Sequence, residues 1–132
     1  LNAQGGAVAI GGQNITIPND AALAVDGKIL CEELEVKLSG DCPDYVFSDD
    51  YDLAPVPVLE QTIREQKHLP NIPSAATVEQ DGIVVGQMQA RMLRKIEELT
   101  LYVIELDKQN RSMQQDNEQL RQRLAALEGT VR

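Results

Sequence analysis

The chain has 132 residues, of which 42% are hydrophobic but only 3% aromatic, and Asp plus Glu outnumber Lys plus Arg 21 to 12, for a formal charge of −9. That charge disfavours a nucleic-acid backbone or an anionic membrane surface as partner, and no apolar run approaches the ~20 residues that a membrane-spanning helix needs. With one Phe, three Tyr and no Trp, the chain has few large anchors for a core of its own, which favours cores shared between subunits.

The opening Leu1-Asn2-Ala3-Gln4 is the kind of small-residue stretch found near signal-peptidase sites. It carries the expectation of an exported protein, at the cell surface or outside it, whose leader has been removed. Residues 1–20 read as an extended segment in which Ile15-Thr16-Ile17 forms a short strand that Pro18 ends. Leu23-Ala24-Val25 and Lys28-Ile29-Leu30 flank Asp26-Gly27, and Asp-Gly between short apolar runs predicts a hairpin. Leu34, Val36 and Leu38 alternate with Glu33, Glu35 and Lys37, the pattern of a half-buried strand. Ten residues separate Cys31 from Cys42. They would pair only in an oxidising compartment, and spacing alone leaves that open.

Residues 39–57 read as an acidic loop carrying Asp41, Asp44, Asp49, Asp50 and Asp52, with Tyr45, Phe47 and Tyr51 either pinning it to the body or facing a partner. These Asp residues lack the alternating spacing and the Gly of a calcium loop, so they read as solvated charge. Pro57 sits in the first turn of a short helix over 57–67, in which Leu59 and Ile63 share a face and Glu60 precedes Arg64 by four. Leu69-Pro70-Asn71-Ile72-Pro73 predicts an extended stretch, and Asp81-Gly82 a turn. From Val85 or Gly86 a single helix of ~70 Å runs to the end of the chain. The expected organisation is an extended segment (1–20), a β-rich module with a short helix (21–84) and a coiled-coil helix (85–132).

That last helix carries the strongest signal. Met92, Ile96, Leu99, Val103, Leu106, Asn110, Met113, Asn117, Leu120, Leu124, Leu127 and Val131 follow one another in alternating steps of four and three. A period of 3.5 is that of a left-handed coiled coil, whose seam is buried only against other chains. With Ile96 at a, the a set is Ile96, Val103, Asn110, Asn117, Leu124 and Val131, and the d set is Met92, Leu99, Leu106, Met113, Leu120 and Leu127. β-Branched a residues, Leu at d and Asn at a lean towards two strands. Arg123 and Glu128, framing Leu124 and Leu127, have the g-to-e spacing associated with parallel trimers, and Asp116 with Arg121 forms a second such pair. The heptad alone leaves dimer and trimer open. Asn110 and Asn117 read as register devices, and Met88, Met92 and Met113 as adaptable packing.

Several motifs together resemble a known module: Val25-Asp26-Gly27-Lys28-Ile29-Leu30, Pro43-Asp44-Tyr45-Val46-Phe47, Lys67 to Ala75, Gly82 to Met88 and Lys95 to Tyr102. The stretch over residues 22–108 resembles the C-terminal tail-fibre module of exported Bacteroidetes proteins. More distantly, it is similar to the intramolecular chaperone domain of endosialidase-type phage tail spikes. The resemblance implies an α+β fold with short N-terminal strands and a closing parallel trimeric coiled coil. It also implies a homotrimeric fibre component within a larger envelope, surface or virion assembly. Many members of that family cut themselves before a Ser-Asp pair followed by basic residues. Here Ser48-Asp49 is followed by Asp50-Tyr51-Asp52, and a Ser nucleophile without a base is not activated, so no self-cleavage is expected. His68 is the only histidine, Glu32-Glu33 and Glu97-Glu98 read as solvated charge, and no catalytic, metal or cofactor site is expected.

Overall fold

The computed structural model describes residues 6–12, 15–17, 20–37 and 43–131. Pro18, Leu38, Asp41 and Cys42 lie outside the described residues. The chain forms two compact units, Leu1–Glu35 and Val36–Arg132.

In the first unit, strand β1 (Val8–Ile10) pairs in parallel with β2 (Leu23–Val25), with Val8 opposite Leu23 and Ile10 opposite Val25. Val8 N–H donates to Ala22 O at 2.8 Å and Asp26 N–H to Ile10 O at 2.9 Å. This replaces the expected Asp-Gly hairpin: Lys28–Leu30 is not a strand, and Leu30 is exposed. The reason lies at Gly11 and Gly12. A Cβ on Gly11 would stand 2.7 Å from Asp26 O, and one on Gly12 would stand 2.7 Å from Asp26 Oδ2. Two side-chain-free residues let the chain close upon Asp26, so its backbone bonds to β1 instead of turning back on itself. Neither Ile15–Ile17 nor Leu34–Val36 is a strand, and Leu34 and Val36 are exposed. Alternation without a strand to pair with does not make a sheet.

In the second unit, the expected acidic loop contains a 3-10 turn, Pro43–Phe47, whose Pro43 and Val46 are buried. Helix α1 (Val56–Gln66) has Pro57 in its first turn and ends at Lys67, which takes a left-handed conformation with φ 60°. The Leu69–Pro73 stretch is not extended. Ile72 N–H donates to Leu69 O at 3.1 Å, and Asn71 has φ 64°, as a type II turn with Pro70 at its second position requires. Helix α2 (Ala75–Asp81) occupies residues assigned no element from sequence; Ser74 caps it, accepting from Thr77 N–H at 3.2 Å. Gly82, with φ 74°, ends it. Helix α3 then runs unbroken over Val85–Thr130, 46 residues. The 3-10 turn packs against α3, and Val46 with Pro43 makes up the fully buried apolar core among the described residues.

Gly11 has φ 123° and no room for a methyl group, whereas Gly27, with φ 153°, faces open space. Gly11→Ala should therefore destabilise the β1–β2 unit by about 1–3 kcal/mol and Gly27→Ala by less. Thermal unfolding of the two variants, followed by circular dichroism at strand wavelengths, gives the ranking.

Candidate assembly site on the long helix

Two faces of α3 have different surroundings, and the heptad frame names them. Its positions b, c and f carry Arg94, Glu97, Glu98 and Leu101, and they face away from the a and d seam. Over these two turns, this outer face is the one that the chain covers with its own residues. Tyr51 Oη donates to Glu98 Oε1 at 2.6 Å, while Arg94 Nε donates to both Tyr51 Oη and Glu98 Oε1 at 3.1 Å. Lys95 Nζ lies 2.5 Å from Glu98 Oε2. The Arg94 guanidinium also stands 5.7 Å from the ring centres of Tyr45 and Tyr51, which are themselves 6.0 Å apart. A little further along the helix, Tyr102 Oη donates to Ala54 O at 2.5 Å. The stretch from Pro43 to Ala54 is thus clamped along about two turns of α3, in large part by charge-assisted hydrogen bonds.

The clamp sets the acid–base behaviour of its members. Burial alone would push the Glu98 carboxyl up, but hydrogen bonds from Lys95, Tyr51 and Arg94 outweigh it and hold the group below the usual carboxylate range. Burial, followed by the hydrogen bond to Glu98, pushes the Tyr51 phenol up. Burial and the charge of Glu98 do the same to Tyr102. Glu97 stands apart. It is 6% exposed, and its Oε2 has no hydrogen-bond partner. Burial and then the negative Asp44 raise its pKa. The sequence reading of Glu97-Glu98 as solvated charge is overturned: one carboxylate is the hub of the clamp and the other is enclosed beneath it. The signal lay in Arg94 and Lys95, which precede Glu98 by four and three residues.

The three aromatic residues divide. Tyr51 is pinned, Tyr45 packs beside it yet remains 42% exposed, and Phe47 is 53% exposed. The buried members of this segment, Pro43 and Val46, carried no warning beyond being apolar. Ser48 lies between backbone bonds, its N–H donating to Tyr45 O and its carbonyl accepting from Tyr51 N–H. His68 Nδ1 is 3.0 Å from Leu69 O. Cys31 is an exposed thiol. Among the described residues, no three His, Cys, Asp or Glu side chains stand close enough to hold a metal ion, and no helix is long and apolar enough to cross a membrane.

The a and d face is bare. From Met92 through Ile96, Leu99, Val103, Leu106, Met113, Leu120 and Leu124 to Leu127, the apolar seam residues are 47–65% exposed, and Val131 is 87% exposed. Asn110, Asn117, Arg123 and Glu128 are exposed as well. The structure therefore sets the seam residues in one continuous stripe that its own chain leaves open to water. No protein-family model, curated protein or solved structure matches this chain, so the functional reading rests on this geometry.

The opposite shifts of the two glutamates give opposite pH effects. Glu98, held low, contributes stability that is complete above the ordinary carboxylate pKa of about 4.3 and is lost as pH falls through its lower folded value. Glu97, held high, opposes folding wherever it is ionised, so Glu97→Gln should raise Tm at pH 7 and lose that advantage in acid. Tyr51→Phe removes the hydroxyl that joins Glu98 to Arg94 and should cost about 1–2 kcal/mol, a range reduced for the partial exposure of the group. Melting curves of the three proteins between pH 3 and 8 report both effects.

Proposed function

We propose that this chain is a structural assembly module, a homo-oligomer joined along α3, whose role is to bring copies into register and present their N-terminal residues to a larger fibre or envelope assembly. The observation that carries the reading is the division of α3. Over the two turns from Arg94 to Leu101 its chain covers the outer b, c and f face, while the apolar a and d stripe is left in water along the whole helix. Exposed apolar stripes of this length mark association surfaces, and burying Leu-sized side chains yields roughly 1.5–3 kcal/mol each. The small buried patch at Val46 supplies almost nothing by comparison. Parallel alignment accounts for Arg123 with Glu128 and for Asp116 with Arg121 as g-to-e pairs of opposite sign between neighbours. It also sets Asn110 and Asn117 each level with its own equivalent in the other copies, so that amide meets amide within a layer.

Three chains is the stoichiometry we favour, on the Arg123–Glu128 spacing and on the resemblance to trimeric tail-fibre modules; two chains is the alternative. An exported, surface or virion location belongs to the same proposal. A second reading, as an adhesin tip, has one observation in its favour: Phe47 and Tyr45 remain exposed at the edge of the clamp. An autoprocessing chaperone is the least supported, because Ser48 lies among carboxylates.

Light scattering coupled to chromatography, on the full chain and on a version ending at Leu106, tests the seam. The expected result is a trimer that weakens or dissociates on truncation, with a Tm that rises with protein concentration; a monomeric full chain at micromolar concentration refutes it. Replacing both Asn110 and Asn117 with Val should raise Tm and broaden the distribution of masses, since polar a layers trade stability for a single register.

A further inference from the structure

One side of the second unit gathers positive charge in a chain whose net charge is −9. His68, Asn71, Ile72, Pro73, Arg91 and Arg94 line an open cleft of about 460 Å³, and no acidic side chain is among them. Arg91 and Arg94, three residues apart on α3, are neighbours on one helix face. The rest of the lining is the turn that follows α1, closed by Ile72 N–H donating to Leu69 O at 3.1 Å. His68 Nδ1 donates to the same carbonyl at 3.0 Å, so the ring is fixed to the turn and Nε2 is its uncommitted nitrogen. Asn71 takes the left-handed position of that turn, with φ 64°.

Several donors of this cleft are uncommitted. Arg94 engages Tyr51 Oη through Nε and Nη2 and Glu98 Oε1 through Nε, which leaves its Nη1 without a partner. The Arg91 guanidinium has no hydrogen-bond or ion-pair partner among the described residues. Like charges three residues apart on a helix repel, and the carboxylate at hand does not cancel them. Glu98 already accepts from Tyr51, Arg94 and Lys95, so its one negative charge faces Lys95 as well as Arg94, and Arg91 adds a third cation. Arg91 and Arg94 are c and f positions, which a coiled coil leaves outward. The cleft therefore stays open whatever number of chains α3 joins.

We propose that this cleft binds a tetrahedral oxyanion of the phosphate kind, either as the free ion or as a monoester. The planar guanidinium of Arg91 supplies a pair of parallel N–H donors, a geometry that phosphate oxygens accept. Arg94 Nη1 and the Asn71 amide supply further donors. Donors on three separate side chains suit an ion whose oxygens point in several directions, whereas a carboxylate presents two in one plane. The bound anion offsets the repulsion between the two arginines and ties the turn after α1 to α3. The cleft is larger than the bare ion, so the organic part of an ester has room. Every lining residue belongs to one chain, so the proposal is independent of the seam.

The test follows amide chemical shifts of the isotope-labelled full chain as inorganic phosphate is raised through the millimolar range, with chloride exchanged to hold ionic strength constant. Saturable shifts at Asn71, Arg91 and Arg94 are expected, and Tm should climb with phosphate as mass action requires. Arg91→Gln leaves every bond of the clamp in place, so it should keep the phosphate-free Tm while binding weakens about ten- to a hundredfold. Asn71→Gly keeps the left-handed turn and loses the side-chain amide, and a smaller weakening is expected. Arg111→Gln, in an exposed ion pair further along α3, is the control and should bind as the unaltered chain does. Methyl phosphate separates the two sources: binding equal to that of phosphate extends the site to esters, and its exclusion assigns the site to the free ion. Failure to saturate, an equal response to chloride, or undiminished binding by Arg91→Gln overturns the proposal.

Discussion

Water is the constraint on which everything in this chain depends. A folded protein is stable when enough apolar surface leaves water to offset the ordering of the chain, and in the second unit Val46 and Pro43 are the large side chains fully withdrawn. What the single chain does achieve is polar: a tyrosine, an arginine, a lysine and a glutamate locked together on the outside of a long helix. Such groups fix geometry well and stabilise weakly, because each was already satisfied by water. Under the proposed assembly, the framework is settled within one copy and the hydrophobic stabilisation comes from contacts with others.

In the proposed assembly the clamp and the bare stripe are two halves of one device. By tying residues 43–54 to the b, c and f positions of α3 and to Tyr102 at g, the chain covers part of the face that a coiled coil leaves outward and keeps its own loops off the a and d face, where the proposed assembly would meet its partners. A loop that collapsed onto Ile96 or Leu99 would compete with association, and the Tyr51–Glu98 and Tyr102–Ala54 bonds disfavour that alternative. Glu97, buried with one oxygen unpaired, shows the cost of packing a loop on a charged face.

How much was legible in the sequence varies with the range of the interaction responsible. The start of α3, the extent of α1 and the bare heptad stripe follow from periodicity and from Pro57, all of them local. Helix α2 had a local signal too, Ser74 three residues before Thr77, but it spans about two turns and lacks a sustained apolar period. The parallel pairing of β1 with β2 was not legible, because it joins residues 15 apart and depends on Gly11 and Gly12 admitting Asp26. Asp26-Gly27 has the composition of a hairpin turn, and local composition was overruled by a non-local fit. The clamp was half legible: Tyr51 and Glu98 were each visible, but their meeting across 47 residues of sequence was not.

The length of α3 has a hydrodynamic consequence. Forty-six helical residues measure about 69 Å end to end, so any particle that contains the intact helix has at least that reach along one direction. Such a body drags more solvent than a sphere of its mass. A body of that reach elutes earlier than a sphere of its mass, so globular standards would overstate the number of chains. For this protein the friction coefficient is itself a structural observable: sedimentation velocity separates a change in the number of chains from a change in the straightness of the long helix.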